Sequence, residues 1–290
     1  MSINKAILPN NISHQVAQAL AEDIGSGDVT AALIPEEKMA VSKVFAREQA
    51  MICGIPWFQE VFKQLDDNLE LEWEINEGDL VDTNQLLVTI RGNARNILTG
   101  ERTALNFLQT LSGTATKSFA LAALTEGTHC QVLDTRKTIP GLRLAQKYAV
   151  AVGGCSNHRI GLYDAMLIKE NHIVSAGSIK AAIKEGRRLY PELKLEVETE
   201  NLEEFHQALA GGADVIMLDE FSLEDIQQAV QITTVFNEEH NENTLLEVSG
   251  NVSAETIPMY AQTGVDYIST GSLTKHVRAV DLSMRFSFSD

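Results

Sequence analysis

The sequence predicts an α/β protein in which a strand-rich N-terminal domain precedes an incomplete TIM-like α/β barrel. Three observations support this fold class. Short strand-like runs separated by turn residues fill much of the chain between residues 42 and 92. From residue 129 onward, near-continuous apolar runs alternate with helical stretches, a pattern typical of parallel strands buried on both faces. Each of six apolar runs also ends in polar residues.

The N-terminal domain is predicted to begin with a helix. Ser13 is placed to cap this helix at its start, and Gly25 is placed to end it. Three strand-like runs follow, at residues 42–48, 69–75 and 86–92. Turn residues such as Asn76, Gly78 and Asp79 separate them, so we expect a strand-rich unit.

An amphipathic helical pattern covers residues 98–124. Ser112–Gly113 predicts a break within it, and we place the domain boundary at that break. The predicted domains are therefore residues 1–112 and residues 113–290. The C-terminal tail is left free to return to the N-terminal domain.

Six apolar runs form the predicted barrel, at residues 129–134, 164–169, 194–199, 214–219, 245–250 and 266–271. A barrel and an open doubly wound sheet both fit such runs. Polar residues at all six carboxyl ends favour the barrel, because barrel enzymes collect their catalytic groups from several strand ends on one face. No GxGxxG follows a strand, which weakens the doubly wound alternative. Six strands instead of eight indicate an incomplete barrel.

The composition excludes some classes of partner. The 290 residues include 23 Lys or Arg and 40 Asp or Glu, a formal charge of -17, which argues against nucleic acid and anionic membranes. Residues 91–172 are different, with ten Lys or Arg against five Asp or Glu. This segment is therefore a candidate site for compact polyanions.

The cysteines and the chain start indicate the compartment. Cys53, Cys130 and Cys155 have unrelated spacings, which fit neither a disulfide framework nor a CxxC metal site. The N-terminus lacks a basic start and an apolar stretch, and no apolar run approaches the roughly 18 residues of a spanning helix. We therefore expect a cytoplasmic protein.

Cationic residues cluster at the predicted strand ends. Arg136–Lys137, His158–Arg159 and Lys169 lie there, with His172 next along the chain and Arg102 upstream. Arg binds carboxylate and phosphate oxygens in pairs and Lys adds a point charge, so the set suits a ligand with several anionic groups. An ion-paired surface is the simpler interpretation for any single residue, but clustering at strand ends favours a site.

Carboxylates end two neighbouring predicted strands. Glu198 and Asp219 stand at these ends, and strand alternation places Glu196 on the same face as Glu198. Such carboxylates can hold Mg²⁺ against phosphates or stabilise a developing carbocation. They can equally pair with nearby lysines, and both roles are compatible.

Glycine turns close the last two predicted strands. Ser249–Gly250–Asn251 follows one and Thr270–Gly271–Ser272 the other. In barrel enzymes the late strand loops commonly bind phosphate through backbone N–H groups, for which glycine allows close approach. Each turn alone is ordinary, but the pair indicates a phosphate site.

Two other features carry less weight. Residues 76–92 resemble the hairpin of lipoyl or biotinyl carriers, but they lack a lysine in a tight turn and are interpreted as structural. Cys155 lies near His158, yet no nucleophile–base–orienter order is evident, so a small buried thiol is the better interpretation.

Long blocks of the chain resemble quinolinate phosphoribosyltransferases, also called carboxylating nicotinate-nucleotide pyrophosphorylases. The blocks are EDIGSGDVT (22–30), GERTALNFLQTLSGTAT (100–116), LDTRKTIPGLR (133–143), NHRIGLYDAMLIKENHI (157–173), LEVETE (195–200), IMLDEF (216–221), EVSGNV (247–252) and STGSLTKHV (269–277). Their length and order make the resemblance far more specific than any short motif.

The resemblance implies an N-terminal α/β sandwich and an incomplete barrel, the type II phosphoribosyltransferase fold, in a homodimer whose active sites are shared between subunits. It implies transfer of phosphoribosyl from 5-phosphoribosyl-1-pyrophosphate to quinolinate with Mg²⁺. The products are nicotinate mononucleotide, pyrophosphate and CO₂, in de novo NAD biosynthesis. The strand, paired acids and Thr-Gly turn of type I phosphoribosyltransferases are missing, as expected for a separate fold.

Matching motif positions imply the site residues. The resemblance assigns the quinolinate carboxylates to Arg136, His158, Arg159 and Lys169, with Arg102 reaching in from the other subunit. It assigns Lys137 to the substrate or the pyrophosphate, and Glu198 and Asp219 to the ribose and the metal. It assigns the 5-phosphate to Ser249, Gly250 and Gly271. Lys137, Glu198 and Asp219 are the expected catalytic residues.

Two positions depart from the family pattern. Gly153–Gly154–Cys155 replaces three glycines, and LDEF with Glu220 replaces LDNF. Neither removes a charged ligand, so they bear on loop shape more than on activity.

Three alternative functions stay open on the sequence. One is a sister transferase acting on nicotinate or another base, although the cations exceed what one carboxylate needs. A second is a barrel decarboxylase using the same cations. A third is a non-catalytic carrier or ligand-binding protein built on the lipoyl-like module, against which the absent carrier lysine and the six polar strand ends argue.

Overall fold

The protein is described by a computed structural model that covers residues 7–288. Residues 1–6, which begin the stretch used in the argument against a leader peptide, lie outside the described residues. The helices are α1 (Ile12–Ile24), α2 (Ile55–Leu65), α3 (Ala94–Ala122), α4 (Arg143–Val152), α5 (Glu170–Ala176), α6 (Ile179–Leu189), α7 (Leu202–Gly211), α8 (Leu223–His240), α9 (Ile257–Ala261) and α10 (Ser272–Lys275). The strands are β1 (Met39–Ala46), β2 (Ala50–Met51), β3 (Glu70–Trp73), β4 (Leu80–Val81), β5 (Leu86–Asn93), β6 (Gln131–Leu133), β7 (Met166–Ile168), β8 (Leu195–Thr199), β9 (Val215–Asp219), β10 (Leu245–Ser249), β11 (Tyr267–Ser269) and β12 (Leu282–Phe288).

The chain divides into two compact units. Of the described residues, the first unit comprises 7–119, 139–154 and 273–288, and the second comprises 120–138 and 155–272. The boundary that the sequence predicts, between residues 112 and 113, falls inside α3.

An antiparallel sheet organises the first unit, with strand order β12-β1-β5-β3. Every second residue of β1 is buried, as expected for a sheet with one face on the core. The C-terminal strand β12 returns to pair with β1 along its whole length. Trp57, Phe58 and Phe62 of α2 are fully buried in this core, and the Phe58 ring packs edge-on against Trp73 at 5.2 Å.

Two local predictions for this unit are wrong. α3 does not break at Ser112–Gly113 but continues from Ala94 to Ala122. A Cβ at Gly113 would lie 2.1 Å from the backbone oxygen of Arg278, so this glycine permits a close approach of chain and not a break. Ser112 is also buried, and its hydroxyl accepts from the backbone N–H of Cys53 at 2.9 Å.

Ser13 is the second error, because it lies inside α1, whose N-cap is Asn11. The predicted end of α1 at Gly25 is confirmed.

A six-stranded parallel sheet organises the second unit, with order β6-β11-β10-β9-β8-β7. Each of the six predicted runs contains one of these strands. Consecutive strands from β7 to β11 are neighbours, and β6 pairs with β11, the last of the series. A doubly wound sheet would reverse its order at a switch point, whereas this order belongs to a barrel left open between β6 and β7. The predicted fold class is confirmed.

No helix within residues 7–288 is long and apolar enough to cross a membrane. The cytoplasmic location stays a prediction from the sequence.

Candidate active site

A pocket of about 330 Å³ opens at the carboxyl ends of the six parallel strands. Eight of the eleven predicted site residues line it: Arg136, Lys137, His158, Arg159, Lys169, Glu198, Asp219 and Ser249. Thr135, Leu167, Met217, Glu247 and Ser269 complete the lining. The strands gather these residues because parallel strands all end at the same edge.

The first unit has pockets of about 380 and 570 Å³. Neither combines several cations with strand-end carboxylates. Among residues 7–288, their linings contain no arginine, and Lys63 is the one lysine. The pocket of the second unit is therefore the candidate site because of its charged lining residues, and not because of its volume.

Two guanidinium groups form the cationic side of the pocket. Burial lowers the pKa of Arg159, and the nearby charge of Arg136 lowers it further. The carboxylates of Glu196 and Asp164 raise the pKa of Arg159. The Nε of Arg136 is buried and has no hydrogen-bond partner within the described residues. A buried donor without a partner is costly, so this arginine is set up to receive an acceptor from a ligand.

Lys169 and Glu198 form an ion pair across the ends of β7 and β8. Lys169 is the N-cap of α5, and its backbone N–H donates to Nδ1 of His172 at 3.0 Å. His172 therefore fixes the start of α5 and the place of Lys169 instead of joining the pocket lining. The sequence left open whether the strand-end carboxylates pair with lysines. Glu198 does so, through its ion pair with Lys169.

Asp219 ends β9 directly beside Ser249, which ends β10. The following Gly250 has a φ of +81°, and a Cβ there would lie 2.6 Å from Cγ of Glu220 and 3.2 Å from Oδ1 of Asp219. Only glycine fits this turn without strain or collision. Glu220 itself has a φ of 58°, the left-handed conformation that asparagine tolerates better than glutamate.

Gly271 lies against the cationic side of the same pocket. A Cβ on it would come 2.8 Å from Cδ of Lys137 and 3.3 Å from Oγ1 of Thr135. α10 begins at the next residue, Ser272, whereas α9 starts only at Ile257, six residues after Asn251. The glycine turns are thus placed as predicted, but only the second leads directly into a helix.

A buried hydrogen-bonded layer forms the floor of the pocket, and two of its members, His158 and Glu247, belong to the pocket lining. His158 Nε2 lies 2.9 Å from Glu196 Oε2 and 3.5 Å from Glu247 Oε2. Burial, followed by the charge of Glu196, raises the pKa of Glu247. Sequence reasoning missed Glu247, although it stands two residues before Ser249 just as Glu196 stands two before Glu198.

Asp134 belongs to the same layer and was noted only as part of a polar strand end. Its side chain is fully buried and accepts from the backbone N–H of His158 at 2.9 Å and from Nδ2 of Asn157 at 2.7 Å. The carboxylate thereby holds the segment that carries His158 and Arg159.

Cys155 is a buried thiol, and burial raises its pKa to about 12. A thiol with so high a pKa is a poor nucleophile at neutral pH, which supports the structural interpretation. Cys53 and Cys130 are also buried, and none of the three cysteines forms a disulfide in the structure.

Arg102 lies in α3 of the first unit, and its side chain is exposed. It is the one predicted site residue that belongs to the first unit. The structure does not bring it into the pocket lining.

Comparisons with known proteins match both parts of the chain. Residues 28–112 match the family model "Quinolinate phosphoribosyl transferase, N-terminal domain", and residues 114–285 match the corresponding C-terminal domain. The chain is similar to a probable nicotinate-nucleotide pyrophosphorylase [carboxylating] of Bacillus subtilis, with 37% identity over 93% of this chain and 91% of the relative. It is also similar to a quinolinate phosphoribosyltransferase [decarboxylating] of Nicotiana tabacum, with 38% identity over 92% of this chain and 80% of the relative.

One solved structure extends the similarity to three dimensions. The nicotinate-nucleotide pyrophosphorylase from Francisella tularensis superimposes with a TM-score of 0.92 and 47% sequence identity. The match covers 97% of this chain and 98% of that chain.

Proposed function

The chain belongs to the quinolinate phosphoribosyltransferase family, and from that premise we propose how its side chains carry the reaction. It is a decarboxylating phosphoribosyltransferase of NAD biosynthesis. The reaction joins quinolinate to 5-phosphoribosyl-1-pyrophosphate, releases pyrophosphate and CO₂, and leaves nicotinate mononucleotide. The observation that carries the residue assignment is the pocket itself, which is lined by two arginines and by two strand-end carboxylates.

Arg136, Arg159 and Lys169 bind the two carboxylates of quinolinate. The partnerless Nε of Arg136 supports this role, since a carboxylate oxygen would satisfy it. The charge of Arg136 disfavours the charged form of the partly buried Arg159, and a bound dianion relieves that repulsion. Nicotinate has one carboxylate, so the same pair of arginines favours quinolinate over nicotinate. The resemblance also implies His158 as a carboxylate ligand, whereas both of its ring nitrogens contact the protein itself.

Glu198 and Asp219 face the ribose of the second substrate. When pyrophosphate leaves C1 of the ribose, positive charge develops on the sugar, and preorganised carboxylates stabilise it. Lys137 neutralises the departing pyrophosphate, and its position against Gly271 places it near the expected phosphate groups.

Mg²⁺ is the expected cofactor, and the donors present fit it. Glu198 and Asp219 supply carboxylate oxygens within one pocket, the ligand type that Mg²⁺ prefers. When bound, Mg²⁺ neutralises charge on the pyrophosphate. The protein's own part is to hold the two carboxylates at neighbouring strand ends, with Lys169 fixing Glu198.

Ser249, Gly250 and Gly271 bind the 5-phosphate. The support is the absence of space for a side chain at either glycine, which leaves the backbone as the surface presented. Once the phosphoribosyl group is attached, the positive charge of the quaternised pyridinium nitrogen stabilises the carbanion left at C2 as CO₂ leaves, and a proton then binds C2 in its place. No separate electron-sink cofactor is needed for that step.

Product analysis tests the function directly. The protein is mixed with quinolinate, 5-phosphoribosyl-1-pyrophosphate and Mg²⁺, and the expected products are nicotinate mononucleotide, pyrophosphate and CO₂ in equal amounts. Nicotinate replaces quinolinate in a parallel reaction. Preference for nicotinate would establish the sister transferase, and CO₂ release without the phosphoribosyl donor would establish a simple decarboxylase.

The active sites are proposed to be shared in a homodimer. The exposed position of Arg102 on α3, in the first unit, supports a role toward a partner subunit. Arg102→Ala and Lys169→Ala homodimers are both expected to be inactive. In a two-fold dimer formed from both variants, one site carries both lesions and the other carries neither.

Mixing the two variants provides the readout. Random exchange makes half the dimers mixed, so activity should recover to about one quarter of wild type. Lack of recovery despite demonstrated subunit exchange would place Arg102 in its own chain's site and refute sharing.

A further inference from the structure

The hydrogen bonds of His158 define which of its ring nitrogens accepts a hydrogen bond. Its Nδ1 lies 2.7 Å from the backbone nitrogen of Arg159, which is an obligatory donor. Nδ1 must therefore be the acceptor, without a proton. In a neutral imidazole the proton then resides on Nε2, which faces Glu196 at 2.9 Å.

This tautomer argues against a metal ion in the buried layer. His158, Glu196 and Glu247 each offer a ligand atom, and these atoms lie within 4.8 Å of one another. A metal would need the lone pair of Nε2, which would move the proton to Nδ1. Nδ1–H would then face the N–H of Arg159 at hydrogen-bond distance, so the backbone excludes this state.

The same tautomer limits what His158 offers a substrate. One ring nitrogen accepts from the backbone of Arg159, and the other donates to Glu196. A protonated ring would lose the acceptor at Nδ1. His158 is thus committed to the protein on both sides, and its side chain is only 11% exposed.

The segment of Asn157, His158 and Arg159 is held from two directions. Asp134 binds it through the His158 backbone and the Asn157 side chain. Glu196 binds the ring, and the ring binds the Arg159 backbone. The carboxylate of Glu196 also lies near enough to Arg159 to favour its charged form.

We propose that Glu196 and Glu247 are positioning residues for quinolinate: they hold His158 as the Nε2–H tautomer, and His158 in turn fixes Arg159 through Nδ1. Glu196 is the main acceptor and Glu247 the secondary one, because their oxygens lie 2.9 and 3.5 Å from Nε2. His158 therefore acts on quinolinate through Arg159 and not as a cationic ligand of its own. This role rests on the proposed function of the pocket.

Two isosteric replacements of His158 separate the two roles. Asparagine places an oxygen near the position of Nδ1 and can still accept from Arg159, whereas glutamine reaches the position of Nε2 and loses that acceptor. We expect His158→Asn to raise the KM for quinolinate less than about threefold, and His158→Gln to raise it about tenfold. A cationic ligand would be lost equally in both variants.

Variants of the two glutamates test the order of their contributions. Glu196→Ala should raise the KM for quinolinate about tenfold and Glu247→Ala by less, with the KM for 5-phosphoribosyl-1-pyrophosphate within about twofold of wild type. Glu196→Gln keeps an acceptor oxygen and should recover most of the loss. The exposed Glu238→Ala on α8 is the matched control and should leave both KM values unchanged.

The tautomer is measured without substrate, by ¹⁵N NMR of histidine-labelled protein. The His158 signals are those lost in His158→Asn, and they should show an unprotonated Nδ1 and a protonated Nε2. A protonated Nδ1, equal losses in His158→Asn and His158→Gln, or parallel rises in both KM values would each overturn the proposal. Wild-type product analysis tests the proposed function separately, so failure of one is not confused with failure of the other.

Discussion

Replacing Gly250 with alanine tests whether the turn after β10 is shaped to present its backbone to a phosphate. Two costs follow from the structure. A left-handed φ of +81° costs an L-residue about 1–2 kcal/mol. The new Cβ would also lie 2.6 Å from Cγ and 2.9 Å from the backbone nitrogen of Glu220, and overpacking of this kind typically costs about 1–3 kcal/mol more.

Gly212→Ala is the matched control. Gly212 has a φ of +80°, nearly the same as Gly250, but nothing lies within 4 Å of its would-be Cβ. It follows α7 and precedes β9, at the opposite edge of the sheet from the pocket. Its substitution therefore carries the backbone strain alone, about 1–2 kcal/mol.

Urea unfolding and steady-state kinetics measure the two effects. Gly250→Ala should lose about 1–3 kcal/mol more free energy of unfolding than Gly212→Ala. It should also raise the KM for 5-phosphoribosyl-1-pyrophosphate, because relief of the collision moves Glu220 and the phosphate turn. Gly212→Ala should leave that KM unchanged. Equal losses of stability in the two variants, or equal KM values, would refute this account of the turn.

Four further outcomes are expected. Arg136→Ala or Arg159→Ala should weaken quinolinate binding by about 2–4 kcal/mol in calorimetric titration, since each leaves a carboxylate unpaired, and wild-type affinity in both would contradict the assignment. Excess EDTA should abolish turnover and leave quinolinate binding largely intact, whereas full activity in EDTA would exclude the metal role. Burial raises the pKa of Cys155 to about 12, so its thiolate forms only as the pH approaches that value; iodoacetamide at neutral pH should leave it unmodified by mass spectrometry. Glu220→Asn should raise the free energy of unfolding by about 1 kcal/mol in urea, because asparagine tolerates the φ of 58° better; no gain would show that the loop is unstrained.

The barrel could be predicted from the sequence because its signal is local and repeated. Near-continuous apolar runs mark strands covered on both faces, and each run ends where polar residues begin. Since all parallel strands end at one edge, the polar ends had to meet, and the pocket lining bears this out. The order from β7 to β11 follows the rule that successive strands become neighbours. β6 departs from that rule, because it pairs with β11 and not with β7.

A helix break at Ser112–Gly113 was predicted because glycine often ends a helix, but a contact with a distant part of the chain explains this glycine instead. Glycine in a helix usually marks an end or a bend. Here the chain at Arg278, far away in sequence, passes so close to α3 that no side chain fits. A contact between segments so far apart leaves no periodic trace in either one, so the sequence could not reveal it.

The buried layer at the floor of the pocket shows which further signal was available. Burial and the nearby charge of Arg136 disfavour the charged form of Arg159, and the carboxylate of Glu196 favours it. Cations gathered at strand ends therefore require carboxylates one layer deeper, which strand alternation places two residues before the polar end. Glu196 and Glu247 occupy those positions in β8 and β10, the strands on either side of β9. In the sequence, a single glutamate within an apolar strand is an exception to the apolar pattern and indicates no function by itself. Its function can be inferred only when the fold shows which cationic side chain of another strand lies against it.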